Sequence, residues 1–306
     1  MRHGFRLSSL ASVVVLALTA FVPAGGAAGA RPAAAPSAAA AVVTPSAPHT
    51  VYISVANRYL TMPHRIAAGQ YYFQVRTSDP RSVVQMVRPP AGYTPLQFLD
   101  ASTRYKSVIS TTADPRAAFT AFVKSVTFVG GSAVARGGVR AFATGLSAGT
   151  YWLYENTYGG PTHLSRIVVL TVVGTPPAQT PVTPVGLVRF GDGGAPTMPA
   201  NLPAAGWLKG LGGPAPLNSL TMTKLAPGVT KADLDGHGVC FGQESFPTKN
   251  CFVPGGMDPS GYISAGVSVF WYYRMPPGDY VAGDMGPNAF FEIPFWNGFY
   301  TRFTVS

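Results

Sequence analysis

The sequence predicts an all-β protein made of two tandem β-sandwiches with short helical insertions, and three observations lead to this prediction. Of its 306 residues, 47% are hydrophobic and only 11% are charged. Glycine and proline are frequent, with 35 and 29 residues, and this mixture suits short strands joined by many turns. The phrase VQMVRPPAGYTPLQFL (84–99) recurs in outline as LTMTKLAPGVTKADL (220–234), which indicates two units of similar topology.

The first part of the chain, residues 1–30, has the features of a signal peptide. Two arginines precede an apolar run at 8–22, and small residues allow cleavage near Ala30. The alternative is a retained anchor, but the run is shorter than the about 20 residues that span a membrane. We therefore expect a secreted, extracellular chain with no transmembrane segment in its mature form. An Ala/Pro-rich spacer follows at residues 31–49.

The first predicted sandwich spans residues 50–174. Within PRAAFTAFVKSVTFV (115–129), apolar side chains recur at helical spacing and predict a core-packing helix: Phe119, Phe122, Val123 and Val126. LSAGTYWLYE (146–155) predicts a glycine turn followed by a strand, and RIVVLTVV (166–173) predicts the final strand of the unit.

A Pro-rich linker at 175–183 is expected to lead into the second sandwich, residues 184–306. MPPGDYVAGD (275–284) repeats the glycine turn and tyrosine strand of the first unit. FYTRFTV (299–305) alternates with a period of two, which predicts a strand with one buried face. That face is expected to carry Phe299, Thr301, Phe303 and Val305.

The order of these motifs resembles that of the cupredoxin-like domains of secreted bacterial proteins. The shared features are a glycine turn, an F-x-V strand, a Ser/Asn-Leu-x-Met strand, APGVTKADL, a glycine turn with tyrosine and a terminal F-T-V. Both predicted units resemble this pattern, over residues 50–174 and 184–306. The resemblance implies a Greek-key topology for each sandwich.

A blue-copper site needs two histidines, a cysteine thiolate and usually an axial methionine. The resemblance implies where these ligands would stand in each unit, and other residues occupy those positions. They are Ser82 and Asn218 in place of the first histidine, Glu155 and Asp284 in place of the cysteine, and Arg166 and Phe299 in place of the axial ligand. His163 lies alone in the ligand loop of the first unit. We therefore expect no cofactor, and a divergent copper binder remains an alternative.

Cys240 and Cys251 are the two cysteines of the chain. In an exported protein an even number of cysteines indicates a disulfide, so we expect these two to be bonded to each other. The alternative, a metal-binding or catalytic thiol, requires histidine or further cysteine partners at suitable spacing, and none is evident.

The stretch DLDGHGVCFGQE (233–244) has part of the pattern of a calcium loop. The candidate ligands are Asp233, Asp235, His237 and Glu244, with a glycine at the sixth position. Histidine is a poor oxygen ligand, and Pro247 leaves no second helix. The favoured interpretation is a polar, glycine-rich loop, and calcium binding is the alternative.

No complete set of catalytic residues is evident, so we expect no enzymatic activity. GLSAG (145–149) matches the pattern of a nucleophile elbow but leads into a strand, which indicates a turn. A carbohydrate-active enzyme needs two carboxylates facing one cleft about 5–10 Å apart. Glu155, Asp284 and Glu292 are the candidates at strand ends, and nothing in the sequence pairs them.

Two segments are dense in aromatic residues, FWYY (270–273) and FFEIPFWNGFY (290–300). The favoured interpretation is that they form core strands and turns, because alternation assigns about half of their rings to a buried face. If the rings were exposed, they would form a platform on which sugars stack. A carbohydrate-binding protein is therefore a further alternative.

Charge is divided unequally between the units. Residues 50–174 contain twelve bases and four acids, whereas residues 184–306 contain seven bases and eight acids. The polyanions that an exported protein meets are cell-wall polymers and anionic lipids rather than nucleic acid. We expect an exported, non-catalytic binding or structural module of the cell envelope, retained on anionic polymers by its first unit. General solubility is the alternative explanation of the charge.

Overall fold

The computed structural model describes residues 49–109, 114–156, 161, 163–175, 181–192, 194–236, 239–241, 248–257, 260–287 and 293–306. The expected signal peptide, and the expected spacer up to residue 48, lie outside the described residues. Residues 46–306 form one compact unit. None of the described helices has both the length and the apolar character needed to cross a membrane.

The first half of the chain contains nine strands and two α-helices among its described residues. They are β1 (His49–Ala56), β2 (Tyr59–Thr61), β3 (Arg65–Ala67), β4 (Gly69–Thr77), β5 (Arg81–Arg88), α1 (Pro95–Ile109), α2 (Arg116–Lys124), β6 (Thr127–Ala135), β7 (Val139–Leu146), β8 (Gly149–Glu155) and β9 (Ile167–Val173). A 3₁₀ turn, Leu164–Arg166, precedes β9. Helix α2 confirms the helix predicted in this region and buries Phe119, Phe122 and Val123 as expected. Val126 is also buried, but it lies just after the end of the helix.

The second half contains eight strands and one short helix in the part that the structure describes. They are β10 (Gly186–Arg189), β11 (Asn201–Leu202), β12 (Ala205–Leu211), β13 (Leu220–Leu225), α3 (Lys231–Asp235), β14 (Phe252–Met257), β15 (Ser268–Arg274), β16 (Gly278–Asp284) and β17 (Tyr300–Val305). The prediction that Phe299 lies on the buried face of the last strand is wrong. A 3₁₀ turn, Pro294–Asn297, ends at Gly298 in the left-handed conformation, so the chain joins the sheet only at Tyr300 and leaves Phe299 48% exposed.

The two halves have the same strand order and the same strand directions. One five-stranded sheet has the order β3-β9-β8-β5-β6, and the other has the order β11-β17-β16-β13-β14. In each of these sheets the first pair is parallel and the later pairs are antiparallel. Facing them, β1-β4-β7 matches β10-β12-β15. The predicted all-β fold of two tandem sandwiches is confirmed, and the repeat extends to every strand except β2.

The two halves meet in a continuous seven-stranded sheet of order β10-β12-β15-β7-β4-β1-β2. Strands β7 and β15 are equivalent, pair antiparallel, and place Phe142 opposite its own counterpart Trp271. A single apolar core runs through both sandwiches. The predicted linker falls between β9 and β10, and the division into two independent domains stays a prediction.

The doubled phrase forms the same corner in each half. Arg88 is the last residue of β5 and Lys224 the last but one of β13. They lie 5.6 Å and 5.9 Å from the ring centroids of Tyr151 and Tyr280. Each tyrosine hydroxyl donates to the carbonyl four residues earlier, at 3.2 Å and 2.6 Å. The glycine two residues before each tyrosine has φ near 145°, a conformation that other residues rarely adopt.

The threonine of each phrase begins a helix. Thr94 Oγ1 accepts from the backbone N–H of Gln97 at 3.3 Å, while the Gln97 side chain accepts from the backbone N–H of Thr94 at 2.8 Å. Thr230 and Asp233 form the same reciprocal pair at the start of α3. These capping boxes satisfy N–H groups that a helix terminus otherwise leaves without partners.

The outer face of each five-stranded sheet is covered, but by different means. In the first half, α1 and α2 pack Phe98, Tyr105 and Phe122 against Trp152 and Tyr154 of β8. In the second half, the cover is built around the disulfide that joins Cys240 and Cys251, with Cα atoms 5.5 Å apart. The disulfide prediction is confirmed. The segments in which the two units differ therefore perform the same packing role.

Candidate functional site

Two acidic residues end equivalent strands at the same end of their sandwiches. Register pairs Val84 with Glu155 and Leu220 with Asp284, so the equivalence expected from the sequence is confirmed. Each carboxylate accepts the backbone N–H of the neighbouring strand: Val83 donates to Glu155 Oε1 at 3.1 Å, and Ser219 donates to Asp284 Oδ1 at 2.8 Å. Glu155 therefore satisfies an N–H near the start of β5, and Asp284 satisfies the N–H of the residue just before β13.

Asp284 is the more enclosed of the two, with only 1% of its surface exposed. Its Oδ1 also accepts the N–H of Gly286 at 2.7 Å, and its Oδ2 accepts Asn218 Nδ2 at 2.8 Å. Asn218 Oδ1 in turn accepts the N–H of Gly213 at 2.8 Å. The two positions that the family resemblance aligns with a histidine and a cysteine ligand are thus hydrogen-bonded to each other.

Burial raises the pKa of Asp284 to about 6, although the hydrogen bonds from Ser219, Asn218 and Gly286 lower it. The native state therefore holds this proton more tightly than the unfolded chain, where the pKa is near 3.8. The stability contributed by the neutral carboxyl is complete below about pH 4 and is lost as the pH rises through about 6.

We expect the native protein to lose stability relative to the D284N variant as the pH rises from about 4 to about 7. The difference of about two pKa units corresponds to about 3 kcal/mol. Urea unfolding of both proteins across this pH range measures the effect. The titratable groups that both proteins share contribute equally to the two free energies of unfolding, so they cancel in the difference. A difference in free energy of unfolding that is constant with pH would contradict the assignment.

The other positions that the resemblance aligns with copper ligands lie apart from this network. Ser82 is buried and its hydroxyl is 2.8 Å from the hydroxyl of Thr77. His163 is exposed just before the 3₁₀ turn, and the guanidinium of Arg166 lies 5.5 Å from the ring centroid of Tyr59. Among the described residues, no group of three or more His, Cys, Asp or Glu side chains is arranged to hold a metal ion.

Two of the four candidate calcium ligands are engaged with the protein itself. Asp233 accepts from Lys249 Nζ at 2.6 Å as well as from Thr230, and these contacts lower its pKa to about 2. Asp235 forms a salt bridge with Lys231 and accepts a hydrogen bond from the hydroxyl of Tyr300 at 2.6 Å. His237 and Glu244 lie outside the described residues, so calcium binding stays the untested alternative to a polar loop. Glu292, the third candidate carboxylate, also lies outside them.

Arginines gather where three turns meet at one end of the first half. We call this the arginine end, formed by Arg58, Arg76, Arg81, Arg136 and Arg140. Backbone bonds join two of the turns, because Arg136 N donates to Pro80 O at 3.1 Å and Gly137 N donates to Thr77 O at 3.2 Å. The third turn carries Arg58. This grouping was not evident in the sequence, where the five residues span more than eighty positions.

The third turn is held in an uncommon conformation. Asn57 and Arg58 have φ of 51° and 66°, the only described non-glycine residues with positive φ. The carboxylate of Asp79 accepts both of their N–H groups at 2.8 Å and fixes the turn. Arg58 Nη1 lies 3.6 Å from Glu155 Oε2. Register pairs Ala56 with Tyr59, so Asn57 and Arg58 form the two-residue hairpin loop between β1 and β2, and positive φ at both positions is what a type I′ turn requires.

A further cation lies close to the arginine end. Lys106 Nζ donates to the carbonyl of Pro161 at 3.3 Å. Burial lowers the pKa of Lys106 to about 8, the charge of Glu155 opposes this shift, and Arg166 adds to it. Glu155 is therefore a carboxylate among cations, and this part of the first half is strongly positive.

An open groove lies at the opposite end of the same five-stranded sheet. It is lined by prolines of the 89–95 loop with Tyr93, Trp152 and Arg88. Arg88 Nη1 donates to Ser147 Oγ at 3.0 Å, so the guanidinium is held by the corner. Ser147, the serine of the GLSAG pattern, thus lies in a turn that leads into β8, as expected. The residues that line the groove include no Asp, Glu, His or Cys.

Comparison with known proteins finds similarity only among solved structures. No protein-family model matches the chain, and no curated protein matches it. Auracyanin A, a blue copper protein from Chloroflexus aurantiacus, is 15% identical with a TM-score of 0.28, over 41% of this chain and 99% of that one. Auracyanin from Roseiflexus castenholzii is 12% identical with a TM-score of 0.24, over 39% and 94%. A multicopper oxidase is 9% identical with a TM-score of 0.23, over 84% and 88%.

Proposed function

We propose that this protein is an exported, non-catalytic binding module of the cell envelope, held on an anionic polymer by its arginine end. The observation that supports this most directly is the placement of Arg76, Arg81, Arg136 and Arg140. None of these four forms an ion pair with a carboxylate among the described residues. Their charges are therefore available to an external anion.

The chemistry of the arginine end suits carboxylate or phosphate groups on a flexible chain. Guanidinium groups offer a planar fork of donors that matches both anions. Three of the four side chains lie on turns or strand ends and are exposed. Because solvent ions screen exposed charges over about 8 Å at physiological salt, binding at this end is expected to weaken as salt rises.

Export is part of the same proposal and is supported by the expected signal peptide and by the disulfide. A bond between Cys240 and Cys251 persists in oxidising surroundings outside the cytoplasm. Such surroundings contain the anionic polymers that the arginine end would meet.

We expect the double variant Arg81→Gln, Arg136→Gln to bind dextran sulfate about tenfold more weakly than the native protein. Each exposed cation near an anionic surface contributes about 1 kcal/mol or less at physiological salt, and a tenfold loss corresponds to about 1.4 kcal/mol for the two arginines together. Retention on a dextran sulfate resin across a sodium chloride series measures the loss. The matched control, Arg65→Gln with Lys124→Gln, removes the same charge from exposed positions elsewhere in the first half.

If the two double variants lose retention equally, net charge alone accounts for binding and the arginine end is not a site. Retention that does not respond to salt would also contradict the proposal. Circular dichroism of each variant verifies that the fold is unchanged.

A further inference from the structure

The outer face of the seven-stranded sheet carries aromatic rings from both halves. We call this the aromatic face, formed by Tyr52, Tyr72, Trp207, Phe270 and Tyr272. Each of these residues alternates along its strand with side chains of the core, such as Phe73, Leu208 and Trp271. Tyr52 is 60% exposed and Tyr272 is 37% exposed. The FWYY segment thus divides, with two rings in the core and two on the surface.

Neighbouring strands arrange these rings in adjacent rows across the sheet. In one row Tyr52 pairs with Gln74, Gln74 with Ala141, and Tyr272 with Trp207. In the next row, Tyr72 and Phe270 both pair with Ala143. From β1 to β12 the face crosses four strand spacings, about 19 Å. The small side chains of β7 leave room for the larger rings to lie across the sheet.

The two rings at the centre of the aromatic face come from equivalent positions of the repeat. Tyr72 and Trp207 occupy equivalent positions in the two halves, each one residue before the core residue that pairs with Phe142 or Trp271. Their rings stack on each other with centroids 5.0 Å apart and planes 16° apart. Tyr272 meets Trp207 edge to face at 5.4 Å. The rings are therefore held in place before any ligand arrives.

The charge of the seven strands has one sign. None of them contains Asp or Glu, and every residue in them is described. Alternation places four bases on the outer side with the rings: Arg76, Arg189, Lys209 and Arg274. Lys209 Nζ lies 5.9 Å from the ring centroid of Phe270. The five-stranded sheets bury their outer faces under helices or the disulfide layer, whereas these rings remain accessible.

We propose that the aromatic face binds a linear, negatively charged polysaccharide. The C–H groups of a sugar ring carry partial positive charge and pack on the negative face of an aromatic ring. The four bases pair with acid groups along the chain, and Gln74 lies between the rings to bond with hydroxyls. This surface shares Arg76 with the arginine end but selects its ligand by stacking, and its test changes only aromatic residues, so either proposal can fail without the other.

The test uses polygalacturonate as the sugar probe and polyacrylate as a polymer of similar charge without sugar rings. The double variant Tyr52→Ala, Tyr272→Ala is expected to lose about tenfold in affinity for polygalacturonate and to keep its affinity for polyacrylate. The control variant Trp296→Ala, Phe299→Ala removes two rings of comparable exposure, 37% and 48%, from elsewhere. It is expected to bind both polymers as the native protein does.

A second measurement does not depend on truncating rings. Polygalacturonate is expected to change the fluorescence of Trp207, and the conservative Trp207→Phe variant should bind with that signal removed. Of the other three tryptophans, Trp152 and Trp271 are buried, and Trp296 lies beside Phe295 in the cover of a five-stranded sheet, outside the aromatic face. Equal losses for both polymers, or no change in Trp207 fluorescence, would overturn the proposal. So would sedimentation showing a dimer that Tyr272→Ala dissociates, since the face would then be a contact between two copies of the chain.

Discussion

Replacing Gln85 with Leu is expected to lower the free energy of unfolding by about 3–5 kcal/mol, a large part of the stability of an ordinary domain. Gln85 is completely buried on β5, and its side-chain amide bridges the two halves of the chain. Oε1 accepts the N–H of Tyr262 at 2.7 Å, and Nε2 donates to Tyr262 O at 3.0 Å and to Gly130 O at 2.8 Å.

The loss is large because leucine fills the space but leaves buried backbone groups without partners. Each such group carries a desolvation cost of about 1–3 kcal/mol. The surrounding chain has little freedom to rearrange, since a Cβ on Gly261 would lie only 2.3 Å from Gly131 Cα.

Urea unfolding followed by fluorescence measures the effect. The matched control is Gln74→Leu, which makes the same change on the half-buried outer face of β4. We expect it to change the free energy of unfolding by about 0.5 kcal/mol or less. Similar losses in the two variants would show that Gln85 is not a link between the halves.

The repeat was predictable because its signals are local. Three features recur at fixed positions: a glycine with positive φ, a tyrosine two residues later, and a base near the end of the neighbouring strand. Glu155 and Asp284 could therefore be aligned with each other from the sequence alone. The capping threonines of α1 and α3 belong to the same phrases. Local conformational demands of this kind leave a trace in the sequence.

The contacts between the halves could not be predicted in the same way. Gln85 and Tyr262 are 177 residues apart. The alternation of apolar residues in β7 and in β15 predicts that each is a strand, but it does not predict that the two strands pair with each other. The arginine end and the aromatic face likewise depend on which turns and rows become neighbours. Period-two patterns assign Phe270 and Tyr272 to one side of β15, but they do not say which side faces the core.

We expect the two halves, residues 46–174 and 184–306, to fail to fold as separate proteins. Separation would expose the edges of β7 and β15, which pair in the intact chain, and an unpaired strand edge promotes aggregation. It would also uncover Phe142 and Trp271, which are 0% and 1% exposed in the intact chain. Losing the packing of one such ring costs about 3–5 kcal/mol, against a total of about 5–15 kcal/mol for a domain.

The measurement is denaturant unfolding of each half beside the intact chain, with sedimentation to detect aggregates. The intact chain is expected to unfold in one transition, because a single core runs through both sandwiches. Mixing the two halves should restore part of the native signal, since their edges and the Gln85 contact are complementary. Two soluble monomeric halves that each unfold cooperatively would instead show that the shared sheet joins two independent domains.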